Sequence, residues 1–179
     1  HGTTPPQAAE RTFSLTNQKR FVFLLGQFDQ ALIERKLGEI IHLRDEDSEK
    51  PITLFLSVVG GDAVAAIAFH NCVKLLKVNL RVVVVGEAYS AGIMVLCAGT
   101  SRAAWRGAKF FFHDLARSLS GPQTATHMAL HGKILEEIEA RDSLIISEIT
   151  GNSITEVTDW KKQERMMDDI VNLCFEEAG

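Results

Sequence analysis

The stretch Arg81-Val82-Val83-Val84-Val85-Gly86-Glu87-Ala88-Tyr89-Ser90-Ala91-Gly92-Ile93-Met94 decides the reading of this chain. Four consecutive valines, β-branched and without polar alternation, predict a strand buried on both faces. Small residues follow abruptly, and Ile93 to Ala98 then reads as a buried helix. Ser90 is thereby placed at a strand-to-helix turn, beside backbone N–H groups that no helical carbonyl satisfies. A hydroxyl there can attack a bound substrate, and those N–H groups can hold a developing negative charge. Most serines before a helix merely cap it. The stretch also departs from the G-x-S-x-G elbow, because Ala88 stands at the position of the first glycine.

Outward from this stretch the chain repeats one theme. Phe21 to Gly26 reads as a first buried strand ended by glycine, and Gln30 to Arg44 as an amphipathic helix. Ile52 to Val59 is the next strand, broken at Gly60-Gly61-Asp62 and followed by a helix over Ala63 to Lys77. The valine strand opens at Val78, and Phe110-Phe111-Phe112-His113 is a further apolar strand ending in histidine. Such alternation predicts an α/β fold with a mostly parallel sheet and crossover helices. The breaks at Gly60-Gly61 and Ser90 both follow strands and precede helices, so they should face one crevice at the carboxyl ends of the strands. Neither has the lysine of a phosphate loop or the spacing of a dinucleotide fingerprint.

Beyond His113 comes a polar loop, then a long helix from about Thr124 to Ile149. Gly151 ends it, and Ser153-Ile154-Thr155-Glu156 is a capping box opening another helix. Met128, Leu130, Leu135 and Leu144 do not share one face of the long helix, which predicts burial against a neighbouring subunit. His127 and His131 are four apart without an accompanying acidic motif, and they read as a solvated face rather than metal ligands.

The 179 residues suit one domain, with residues 1–10 as an arm or leftover segment and 11–179 as the folded unit. A formal net charge of −4, with no basic cluster, argues against nucleic-acid binding. No apolar run is long enough to span a membrane, and the first residues lack a signal pattern. Cys72, Cys97 and Cys174 are widely spaced and read as buried free thiols of a reducing compartment.

Four stretches together resemble the proteolytic subunit of the Clp protease family, serine peptidases of the ClpP/crotonase fold. Ser57-Val58-Val59-Gly60-Gly61-Asp62 is similar to the family's N-S-P-G-G-S, and Gly86 to Gly92 to its G-Q-A-A-S-M-G. Phe111-Phe112-His113-Asp114 is similar to M-I-H-Q, and Ser120 to Thr126 to the handle region R-G-Q-A-x-D. The order and spacing agree from about Arg11 onward. The resemblance implies repeated strand–helix units with a long handle helix, Ser90 as nucleophile and His113 as general base. It implies backbone N–H groups of Gly61 and Ala91 as the oxyanion hole. It further implies no cofactor on this chain, with ATP consumed by a partner AAA+ unfoldase. Unfolded polypeptides would be the substrates, inside heptameric rings that stack to a tetradecamer, and nucleic acid and membrane would have no part. The compartment implied is the cytoplasm, or an organelle matrix or stroma after removal of a transit peptide.

The triad acid is where this chain departs from the family pattern. A gapless match from Thr150-Gly151 puts Trp160 on the acid position, with Asp159 beside it. Asp159 is the favoured candidate, Asp168 and Asp169 serve if the helix carries an insertion, and Asp114 would point to the opposite strand face. Val59 replaces the usual proline, and Asp114-Leu115 the usual Gln-Pro. A catalytically weak or inactive subunit that assembles with an active paralogue is therefore the alternative reading. An acyl-CoA enzyme on the related crotonase fold is a third, one that would not need the Ser90/His113 pair.

Overall fold

The computed structural model describes residues 20–113, 121–162 and 176–178. Three strand–helix units run β1 (Phe21–Phe28), α1 (Gln30–Glu46), β2 (Ile52–Gly61), α2 (Ala63–Leu75), β3 (Leu80–Tyr89) and α3 (Gly92–Ala98). Then come β4 (Ser101–Trp105), β5 (Lys109–Phe111), α4 (Ala125–Thr150), α5 (Ile154–Lys162) and β6 (Glu176–Ala178). The sheet order is β1-β2-β3-β4-β6, with β5 also pairing β3, and every pairing is parallel. The α/β architecture expected from the alternation is the one observed.

β3 is the pivot of this sheet. Its first half, Arg81 to Val84, pairs with β4, and its last residues, Glu87 to Tyr89, pair with β5. Between them the ladder to β2 slips, from Leu56↔Val84 to Val58↔Ala88. Gly86 sits at that slip, where any side chain would run into the Ser57 hydroxyl, and the same hydroxyl accepts from the Glu87 N–H at 3.3 Å. The bulge re-aims the strand end. It also turns Val85 out to solvent, so only three of the four valines lie in the core.

Three other boundaries differ from the sequence reading. β1 does not stop at Gly26: that residue takes φ +83 at a register shift, and pairing resumes from Gln27 to Phe28. Nor is β1 buried on both faces, since Val22 and Leu24 point inward while Phe23 and Leu25 are about half exposed. β2 continues through the glycine pair, with Gly60 and Gly61 opposite Gln27 and Phe28. β4 has no apolar alternation to announce it, and it exists because its backbone completes the ladder on β3. The expected arm over residues 1–10 lies outside the described residues, as does Cys174.

Helix starts follow ordinary capping chemistry. Asp29 and Asp62 accept from the N–H three residues on, at 2.8 and 2.9 Å. Thr124 caps α4 in the same way, and Gly151 closes it in the left-handed region at φ 73. Ser153 and Glu156 form the expected capping box, with both backbone N–H groups satisfied by the opposite side chain. α3 is buried along its whole length, whereas α4 buries only Asp142, Ser143, Ile145 and Ile146. Among the described residues no helix is long and apolar enough to cross a membrane.

Candidate active site

Ser90 is held at φ 52, a left-handed conformation unusual for a residue with a Cβ. Strain of this kind persists only where the surroundings impose it. Here they do so from two sides. The Ser90 N–H donates to the Phe111 carbonyl at 2.9 Å, locking the turn onto the end of β5. Opposite, Gly60 takes φ +110, and a Cβ added there would lie 3.1 Å from the Ser90 Cβ and 3.6 Å from its hydroxyl oxygen. The glycine turn therefore lies directly against the serine, which only a residue without a side chain allows.

The capping role available to Ser90 is not used. The residue at the N-cap of α3 is Ala91, and no side-chain hydrogen bond caps that helix. Gly92 follows because its Cα lies against Val58, where a Cβ would collide with a valine methyl. These small residues let the helix N-terminus approach the crevice. Gly61 is pressed equally hard against the backbone and ring of Phe28.

His113 reaches the same crevice through β5. Tyr89 is in register with Phe111, so the residues after each strand leave the sheet side by side. Phe112 turns into the core, while Phe111 and His113 fall on the other side with ring centroids 5.6 Å apart. β5 itself ends at Phe111, two residues earlier than the sequence suggests. Ser90 and His113 line one narrow pocket, and the remainder of its wall includes Met94, Ile146, Asp142 and Lys161. The free space in it is about 10 Å³, close to the least that one water requires. A larger groove of about 370 Å³ lies between α2 and α4, but its walls, which include Val64, Ile67, Ile138 and Arg141, offer no nucleophile beside a base.

The carboxylates fall differently from the sequence expectation. Asp159 is exposed and takes no part in the pocket wall. Helical phase accounts for this: Val157 and Lys161 are the buried residues of α5, and a residue midway between them is turned about 200° away. Trp160, on the gapless acid position, packs against the core rather than into the pocket. Asp168, Asp169 and Asp114 lie outside the described residues. Asp142 of α4, which sequence reasoning passed over, is the carboxylate in the pocket wall. It shares a helical face with Ile145 and Ile146, and a lone acid on an apolar stripe was the available signal.

Asp142 is only 5% exposed. Burial pushes its carboxyl up to about 6, Lys161 pulls it down, and Glu139 adds to the rise. Lys161, also 5% exposed, reaches the Glu139 carbonyl at 3.4 Å and so ties α5 to α4. No group of three His, Cys, Asp or Glu among the described residues is arranged to hold a metal ion, and His127 is exposed on α4. Cys72 is half-buried and Cys97 buried.

The family model described as Clp protease matches residues 6–171. The chain belongs to the Clp protease family. It is 32% identical over 164 residues to the ATP-dependent Clp protease proteolytic subunit 2 of Prochlorococcus marinus, covering 89% of this chain and 78% of the relative. It is 26% identical over 159 residues to proteolytic subunit 3 of Rhodococcus jostii, covering 88% and 76%. A 91-residue segment is 37% identical to subunit 2 of Thermobifida fusca, covering 51% and 45%.

Proposed function

We propose that this chain is the serine endopeptidase core of an ATP-dependent Clp-type protease, with Ser90 as nucleophile and His113 as general base. The observation that carries this reading is the strained Ser90 turn, tied to the Phe111 carbonyl and opening on the pocket that His113 also lines. The Ser90 hydroxyl attacks the scissile carbonyl as the His113 imidazole takes its proton. Negative charge on the tetrahedral oxygen falls to the N–H groups of Gly61 and Ala91, one from the glycine turn and one from the start of α3. The imidazolium then protonates the departing amine, leaving an acyl-enzyme that water hydrolyses by the same steps in reverse. This chemistry asks for no cofactor on the chain, and ATP is spent by a partner AAA+ unfoldase that delivers unfolded polypeptide.

Self-association in stacked seven-membered rings belongs to the same proposal. Its physical support is the apolar surface left uncovered: Met128, Leu130 and Leu144 on α4, with Phe23 and Leu25 on the open face of β1. The exposed position of Asp159 favours a second reading, in which the chain is a catalytically weak or inactive subunit assembling with an active paralogue.

One experiment separates the two. The assembled protein should cleave a short fluorogenic peptide and be labelled by a fluorophosphonate, and Ser90→Ala should abolish both, the rate falling on the order of 10⁴ to 10⁶-fold. An assembled protein as inert as its Ser90→Ala variant would establish the second reading instead.

A further inference from the structure

We propose that Asp142 is the carboxylate that orients His113, supplied from α4 across the shared pocket and held there by Lys161. This inference rests on Ser90 and His113 being nucleophile and base. Three observations carry it. Asp142 lines the same confined space as both residues, with free volume no larger than about one water. Its Oδ1 is fully buried and has no hydrogen-bond partner among the described residues. A buried carboxylate oxygen left unpaired is costly, and a catalytic role is one of the reasons for which natural proteins retain such a group. Finally, the helix that should bring the acid points Asp159 into solvent and Lys161 into the pocket.

The chemistry is coherent. A lysine facing the imidazole would by itself oppose formation of imidazolium when His113 takes the Ser90 proton. A carboxylate at Asp142 cancels that cation and fixes the ring tautomer, leaving Nε2 free to accept. The charged groups acting on Asp142 are Lys161 from α5 and Glu139 from its own helix, and His113, from the segment after β5, lines the same pocket. Asp142 thus acts through His113 as a positioning residue and touches no substrate atom.

The test uses the assembled full chain and a fluorogenic peptide, with kcat and KM measured from pH 5 to 9. Asp142→Asn should lower kcat by about 10² to 10⁴-fold with KM changed less than about threefold, while Asp142→Glu recovers part of the loss. Lys161→Met keeps the carboxylate but removes its cation, so the acid limb of kcat/KM should move to higher pH. Wild-type kcat in a folded Asp142→Asn protein overturns the proposal. So does a large loss confined to Asp159→Asn. An unmoved acid limb in Lys161→Met overturns it even where Asp142→Asn does not fold. Ser90→Ala distinguishes the two levels: if it alone is dead, the peptidase reading stands without Asp142, and if it cleaves like wild type, both fall.

Discussion

The two ends of the long helix α4 contrast sharply in burial. Its last turns bury Asp142, Ser143, Ile145 and Ile146 against α3 and α5, whereas its first turns leave Met128 and Leu130 both 54% exposed. One helix thus serves two surfaces. The buried end closes the wall of the Ser90 pocket, and the exposed end offers apolar side chains that its own domain does not cover. A helix whose apolar residues wrap more than one face cannot satisfy them with a single partner. The same division recurs on β1, inward at Val22 and Leu24 and outward at Phe23 and Leu25.

Truncations at the two ends should expose that contrast. Ile146→Ala removes a side chain 2% exposed at the pocket wall, and chemical denaturation should report a loss of about 2–5 kcal/mol. A change below about 1 kcal/mol would mean that the α4–α3 contact is far looser than its burial implies.

Asp142 gives the next effect in size. Its folded carboxyl titrates near 6 against an unfolded value of 3.8, so ionising it costs the native state stability above that range. As pH falls from about 7 towards 4, wild type should gain on Asp142→Asn by up to about 3 kcal/mol, followed as the difference in unfolding free energy. A wild type that loses stability relative to Asp142→Asn over that interval, or does not change relative to it, would contradict the burial assigned to the carboxyl.

The smallest effect on the fold belongs to the exposed end. Met128→Ala with Leu130→Ala should change unfolding free energy by no more than about 0.5 kcal/mol each. Their consequence should appear in assembly, as smaller particles by sedimentation at equal concentration. Large destabilisation of the isolated subunit would show that these side chains already have a partner within it.

Much of this was legible in advance because it depends on neighbours in the chain. The valine run, the capping box at Ser153 to Glu156 and Gly151 after α4 are local signals, and each appears where its chemistry puts it. The turn at Ser90 was equally plain, since a strand former gives way to small residues and then to a buried helix. Less legible were the bulge that exposes Val85, the continuation of β2 through two glycines, and the short strand β4. Each of these is created by the backbone of an adjacent strand, which no residue in the segment itself records.

The sequence by itself determined the class of fold and the family, and it put Ser90 at a strand-to-helix turn and His113 after an apolar strand, because periodicity, turn chemistry and short motifs are written along the chain. Only the tertiary structure decided which carboxylate lines the pocket that these two residues share. Asp159 and Asp142 lie 17 positions apart on different helices, and their fates turn on helical phase and packing: Val157 and Lys161 rotate one acid into water, and Ile145 and Ile146 draw the other inward. A rotation of roughly 100° per residue is invisible in a motif until something is packed against the helix.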